Sequence, residues 1–421
     1  MNVDKLEQGN KYSFRTKDEV LEGVFVNATK EFIYIKQSSG YNIGVSKDKV
    51  KDFKLLENKK VAKQKKSTKN EGEIVILHTG GTIASKVDYS TGAVNSSFTP
   101  EEILELFPEL NKIGSVESHL ISNMPSDDMN FSHYNVIGEK INELVKRKNV
   151  KGIILTHGTD TLHYTSAALS FMLKGISKPV VVVGSQRSSD RPSSDAAVNL
   201  LNSAYFIKNS KNKGVFVCMH ENTSDDFCLI HKGTNVRKNH TSKRDAFKSV
   251  NSKPLARVNF DKKKLEENKY ESNEDYEFKT FNEKLKIGLI KARPGLTSEE
   301  LELYKKFDGL VLEGTGLGHF PIGFNDKYTT DNEKILKTVK EVASKKVVVM
   351  TSQCINGRIN MNVYTPGRIL KDAGVLGHNL DMQPETAYIK LAFLLSNYKK
   401  DEAKELYSTN LVGEISERSE E

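Results

Sequence analysis

Two threonines and an aspartate follow two apolar runs of the chain. The first run, Ile74-Val-Ile-Leu-His78, breaks into Thr79-Gly80-Gly81-Thr82. The second, Gly152-Ile-Ile-Leu-Thr156, breaks into His157-Gly158-Thr159-Asp160-Thr161. A threonine hydroxyl can attack a carbonyl when a neighbouring base takes its proton and backbone N–H groups hold the oxyanion. Neither tip offers a serine or cysteine, so threonine is the candidate nucleophile. A carboxylate beside a hydroxyl, as in Thr159-Asp160, can help activate a nucleophile or bind a substrate ammonium. Each residue also has a plain structural reading. Paired glycines serve a tight turn. Thr159 or Asp160 can cap the helix that follows, which is compatible with chemistry. His157 is a candidate general base, although a strand-end histidine is more often packed and hydrogen-bonded. A dinucleotide-binding loop is excluded, because that fingerprint needs three spaced glycines and the first tip has an adjacent pair.

Such apolar, mostly β-branched runs ending in Gly and Thr read as buried parallel strands handing over to a loop and a helix. In open α/β sheets, ligands bind beyond the carboxyl ends of such strands. From residue 73 onward the pattern alternates. Strands are expected at 73–78, 151–156, 179–184 and 213–219, and helices at 100–107, 131–148, 161–174 and 193–209. Thr99 and Pro100 would open the first of these helices. After a charged connection near 261–284 the alternation resumes, with strands at 286–291, 308–313 and 346–351 and a helix at 384–397. The expected fold class is α/β: a doubly wound parallel sheet over 73–270 and a smaller α/β domain over 285–412. Residues 1–56 differ, with short strands about ten residues apart and turn residues between them, which suggests a small all-β barrel. Residues 57–72 form a lysine-rich linker. The last ten residues are polar and expected to fray.

The chain has 421 residues, 63 Lys and Arg against 55 Asp and Glu, a net charge of +8 and no tryptophan. A basic surface suits a polyanion such as RNA, but equally suits lysine-rich solubility. Three cysteines, Cys218, Cys228 and Cys354, lack metal-ligand spacing. They read as free thiols in a reducing cytosol. No apolar run approaches the ~20 residues of a membrane span, and no signal peptide is visible, so a cytoplasmic protein without membrane contact is expected.

Thr79-Gly-Gly-Thr-Ile-Ala together with His157-Gly-Thr-Asp-Thr resembles the bacterial-type L-asparaginase family, over roughly 73–410. That resemblance implies an asparaginase-like two-domain fold, with Thr82 as nucleophile and Thr159 and Asp160 as members of a triad. The stretch Val236-Arg237-Lys238 ahead of Phe247-Lys248-Ser249 is similar to the family segment carrying the triad lysine, which places that role on Lys238. A partly desolvated lysine beside a carboxylate can accept a threonine proton, whereas Arg237 stays charged and cannot. Tyr89 matches the tyrosine of a loop that closes over substrate. Ser126 and Asp127 match a substrate-binding segment, with Asp127 replacing the usual glutamine. No metal ligands are implied.

The amino-terminal strands, the basic linker and the segment Gly184-Ser-Gln-Arg187-Ser-Ser-Asp190-Arg191-Pro-Ser-Ser-Asp195 resemble the archaeal subfamily of glutamyl-tRNA(Gln) amidotransferase D subunits. The 187–195 segment reads equally as a partner-facing loop, an ammonia gate or a salt-bridged loop. The subfamily implies a glutaminase that supplies ammonia to the E subunit of the amidotransferase. That partner would use ATP and Mg2+ to convert Glu-tRNA(Gln) to Gln-tRNA(Gln). This chain would form a homodimer within a D2E2 heterotetramer and carry no cofactor of its own. The alternatives are a stand-alone cytosolic L-asparaginase and a non-catalytic RNA- or protein-binding scaffold.

Overall fold

Alternating burial along Lys11–Thr16 (β1) marks the first of five short antiparallel strands. The others are Val20–Ala28 (β2), Phe32–Lys36 (β3), Asn42–Ser46 (β4) and Val50–Glu57 (β5), in sheet order β4-β3-β2-β1-β5. Every strand gives a side chain to one core: Tyr12 and Phe14, Phe25, Ile33 and Ile35, Val45 and Val50. This is the all-β unit expected over 1–56. The computed structural model describes residues 5–37, 42–57, 72–81, 83, 85–87, 94–96, 106–189, 193–270 and 275–420. The β unit touches the rest of the chain through Lys36, whose ammonium donates to the Leu106 carbonyl and lies 5.0 Å from the Phe107 ring centre.

Ile74–His78 (β6) is buried at every residue, as the apolar run predicted. Ser85–Val87 (β7) pairs with Val94–Ser96 (β8) as a separate two-stranded ribbon. Then come Val116–Leu120 (β9), Gly152–Thr156 (β10), Pro179–Val183 (β11) and Gly214–His220 (β12). These form the parallel part of a large sheet, in the order β9-β6-β10-β11-β12. Strand residues divide by parity between two cores. Val75, Leu77, Ile153, Leu155, Val180 and Val182 meet helices Phe131–Val145 and Leu162–Met172 on one face. Ile74, Ile76, Ile154, Val181 and Val183 meet helix Ala196–Asn209 on the other. That two-sided burial is why the strands read as unbroken apolar runs.

Three antiparallel strands extend the sheet beyond β12: Cys228–Lys232 (β13), Ala256–Asn259 (β16) and Lys264–Glu267 (β17). Between them Val236–Lys238 (β14) and Phe247–Ser249 (β15) make a small hairpin. The edge strand Lys-Leu-Glu-Glu carries charge on an exposed sheet border, a common protection against edge pairing. It therefore reads as a connection in the sequence.

The second domain has parallel strands Ile287–Lys291 (β18), Gly309–Gly314 (β19) and Val347–Ser352 (β20), in that order. Helix Pro384–Asn397 spans the expected residues. The helix expected at 100–107, with its Thr99 and Pro100, lies mostly outside the described residues. One expectation is corrected. Residues 412–420 do not fray, because the tail is tied down by polar contacts. Ser416 N donates to Asp381, Arg358 reaches the carbonyls of Ser416 and Glu417, and Glu414 is fully buried against Lys390 at 2.6 Å. Polarity here marks specific pairing rather than solvation.

Candidate active site

The two strand tips close on each other. An added side chain at Gly81 would place its first carbon 2.6 Å from the Gly158 nitrogen, and Gly81 already has φ of +79°. Only glycine fits, because both the space and the backbone region forbid a side chain. Gly81→Ala is expected to destabilise by about 2–4 kcal/mol. Denaturation midpoints check this; an unchanged midpoint would mean the tips can separate freely. Gly184, just after β11, approaches from the other side, with room denied by the Thr159 methyl at 2.8 Å.

Thr159 is thus pinned between two strand ends and is buried. Lys238, the last residue of β14, reaches across to it. Its ammonium donates to Thr159 Oγ1 at 2.8 Å and to Asp160 Oδ1 at 2.8 Å. The lysine side chain is 10% exposed and the aspartate 70% exposed. A buried cation therefore faces a hydroxyl on one side and a solvent-facing carboxylate on the other. The Phe247-Lys248-Ser249 segment is the partner strand of this lysine, with Lys238 directly opposite Phe247. The sequence points to these three side chains as one group, although Thr159 and Lys238 stand 79 positions apart, and they meet. Thr82 and Tyr89 lie outside the described residues. The chain on either side of Tyr89 is the paired ribbon β7–β8.

Ser126 is buried beneath the second tip. Its carbonyl accepts from Thr161 Oγ1 at 2.5 Å, and its hydroxyl accepts from Thr161 N at 3.3 Å. Asp127, next along the short 3-10 turn Ser126–Asp128, is exposed. His157 is not positioned as a base. Its Nδ1–H donates to the Gly158 carbonyl at 2.7 Å and its Nε2 accepts from Thr165 at 2.8 Å, so both nitrogens are occupied. The packed reading holds for it.

Burial pushes the pKa of His157 down to about 4, partly opposed by its bond to the Gly158 carbonyl. His163, at the start of the following helix, is pushed down to about 3 by burial, with Arg237 and Lys238 adding to the effect. An unfolded histidine takes its proton near pH 6.5. Between that pH and about 4 the unfolded chain binds protons that the folded chain refuses. Stability is therefore full above pH 6.5, falls as pH drops, and the loss from His157 levels off below about 4. The expected loss from His157 alone is on the order of 3 kcal/mol. Denaturation midpoints at pH 7 and pH 5 read this out, and equal midpoints would contradict it.

The 185–195 segment is built on Asp195, fully buried at the start of helix Ala196–Asn209. Its carboxylate accepts from the amides of Gln186 (3.0 and 2.9 Å) and Arg187 (3.1 Å). Burial raises its pKa and those amides oppose the shift. Among the described residues this carboxylate is held by amides rather than by an ion pair; Asp190 and Arg191 lie outside them. Ser189 Oγ donates to the Ile83 carbonyl at 2.7 Å, fastening the segment to the first tip.

One partner of the site escaped the sequence reading. Arg237, beside Lys238, pairs at 2.9 Å with Glu385, which comes from the second domain and is 10% exposed. His163 lies 4.0 Å from the same carboxylate. Nothing in local sequence links Glu385 to Arg237, although its place just after Pro384 at a helix start favours an acid there. Among the described residues no cluster of three His, Cys, Asp or Glu stands in a metal-binding arrangement. No helix among them is long and apolar enough to cross a membrane.

A strand-tip cluster of lysine, threonine and aspartate on this two-domain frame defines an asparaginase-type class, and comparison agrees. Residues 73–271 match the asparaginase N-terminal family model, and 286–406 match the glutaminase/asparaginase C-terminal domain. The thermostable L-asparaginase of Thermococcus kodakarensis superposes with a TM-score of 0.70 at 31% identity, over 82% of this chain and 99% of that one. L-asparaginase I of Vibrio cholerae does so at 0.69 and 28%, over 82% and 98%. Among curated proteins, the glutamyl-tRNA(Gln) amidotransferase D subunit of Archaeoglobus fulgidus is 43% identical over 97% of this chain and 95% of its own. That of Pyrococcus furiosus is 41% identical over 99% and 94%. The chain belongs to the family of glutamyl-tRNA(Gln) amidotransferase D subunits. Unlike the solved asparaginases it matches, it carries the extra amino-terminal β unit, and the D-subunit similarity runs through it.

Proposed function

We propose that the chain is the glutaminase subunit of a tRNA-dependent amidotransferase, releasing ammonia from glutamine. The observation that carries the chemistry is Lys238, shielded from solvent and bonded to both Thr159 and Asp160. In this reading the Thr82 hydroxyl attacks the side-chain amide carbon of glutamine. The C–N bond breaks, ammonia leaves with the transferred proton, and an ester to the threonine remains. Water then cleaves the ester, giving glutamate and restoring the hydroxyl. Thr159, Asp160 and Lys238 move the protons, the lysine linking the hydroxyl to the carboxylate. Exposed Asp127 and buried Ser126 hold the α-amino end of the substrate, and Tyr89 covers it.

Ammonia passes to the E subunit of the amidotransferase, which binds ATP and Mg2+ and amidates Glu-tRNA(Gln); two chains of each kind form the assembly. The full-length similarity to D subunits, β unit included, supports this division of labour. Ammonia release from glutamine and from asparagine tests it, with and without the E-type partner and Glu-tRNA(Gln). Glutamine hydrolysis that rises with partner and tRNA is expected. Strong asparagine hydrolysis by the chain alone would point to a stand-alone asparaginase. No hydrolysis under any condition would point to a scaffold.

A further inference from the structure

A sizeable cleft lies away from the strand tips. It has a volume of about 560 Å³ and lies between the C-terminal tail and the large sheet, lined by Lys232, Ser252, Tyr270, Val412 and Arg418 among others. Lys232 ends β13 and pairs with Phe216 near the start of β12. The catalytic cluster stands beyond the carboxyl ends of the parallel strands. Tyr270, on the cleft wall, packs against Gly214 at the start of β12, so the cleft lies toward the amino ends of these strands, away from the catalytic cluster.

We propose that this cleft is a second site, binding a free α-amino acid by its carboxylate and ammonium groups. Lys232 is half-buried and, among the described residues, its ammonium makes neither a hydrogen bond nor an ion pair. It lies over the Tyr270 ring, 5.4 Å from the ring centre. Burial pulls its pKa down while Glu420 pulls it up. A half-desolvated ammonium with no carboxylate in hydrogen-bonding contact gains from one that arrives with a ligand. The hydroxyl of Ser252, also on the wall, is buried without a hydrogen-bond partner.

The remaining charges select the ligand. Arg418 adds a second cation, and Glu417 and Glu420 add two carboxylates. The lining is therefore balanced. A multiply charged anion meets two repelling carboxylates, whereas a zwitterion matches both signs. Leu411, Val412 and Ile415 offer apolar surface for a side chain. The volume lies within the range of small-molecule sites. The walls are pre-formed: Tyr270 Oη donates to the Val412 carbonyl at 2.9 Å, and Ser416 Oγ and Glu420 N both reach the Asn251 carbonyl at 3.1 Å.

Calorimetric titration of the full chain with L-leucine, inorganic phosphate and methylamine tests this. L-leucine is chosen because it carries no side-chain amide to be hydrolysed. Saturable binding of leucine alone is expected, weakened about tenfold in Lys232→Met through loss of a charge-assisted hydrogen bond. The same binding should persist in Lys238→Ala, which separates this site from the catalytic one. Unaltered glutamine turnover and an unaltered melting point in Lys232→Met confirm that the variant is folded. The proposal fails if leucine does not saturate, if phosphate or methylamine binds as well as leucine, if Lys232→Met leaves the affinity unchanged, or if Lys238→Ala removes it. Failure of glutamine hydrolysis with leucine binding intact would sink the glutaminase reading and leave this one standing.

Discussion

Lys238→Ala is expected to lower glutamine turnover by about 1,000-fold or more, with the fold retained. The ammonium is the shared donor to Thr159 and Asp160, so its loss removes both bonds together, and with them the proton-transfer role proposed for it. Residues acting as a unit lose nearly all their effect when one is removed. The fold survives because Lys238 ends a three-residue strand, and its side chain contributes to the site rather than to either core. Lys238→Arg sharpens the test. Arginine keeps the positive charge beside Asp160 but cannot lose its proton. If charge alone mattered, the arginine variant would keep much of the rate; a loss close to that of alanine is expected instead. Initial rates of ammonia release, alongside a denaturation midpoint, measure both. A near-normal rate in the alanine variant would remove Lys238 from the mechanism.

The parts of this protein most legible in its sequence are those buried on two sides. Ile74–His78 and Gly152–Thr156 carry no polar alternation because helices cover both faces of the sheet, so their ends could be placed within a residue. The Thr159–Asp160 tip followed from the strand, and Lys238 only from the resemblance of its segment, ahead of Phe247-Lys248-Ser249, to that of the asparaginase family. The two stretches pair as a hairpin, with Lys238 opposite Phe247. Edge strands were not legible. Lys264–Glu267 is mostly charged because it borders solvent, and its composition is that of a loop. Glu385 was missed for a different reason: its partner Arg237 belongs to the other domain, and no periodicity reports a contact between domains. His157 shows the limit of residue type as a guide. A histidine beside a catalytic tip suggested a base, and only the two bonds that occupy its ring decide against it.

The tail shows the opposite error, where polar residues read as solvated include a fully buried glutamate. Glu414→Ala is expected to destabilise the protein by about 3–5 kcal/mol. Lys390, on helix Pro384–Asn397, and Glu414 are both fully buried, 2.6 Å apart. The lysine also donates to the Thr409 carbonyl at 2.6 Å and lies 5.5 Å from the Tyr407 ring centre. The glutamate accepts from the amides of Leu411 at 3.0 Å and Val412 at 2.7 Å. Burial pulls the Lys390 pKa down and Glu414 pulls it back up. Removing the glutamate takes away that support, strands a cation in the interior and frees two backbone donors at once. Lys390→Met together with Glu414→Gln should recover much of the loss. The cation is then gone, the amides keep an acceptor, and a well-packed apolar replacement for a buried ion pair is often neutral. Denaturation midpoints of the single and double variants separate the two effects. If Glu414→Ala costs no more than a surface substitution, Lys390 reaches water and the tail is not fastened by this pair. If the double variant is as unstable as the single one, the ion pair itself supplies the stability, and relieving the stranded cation recovers nothing.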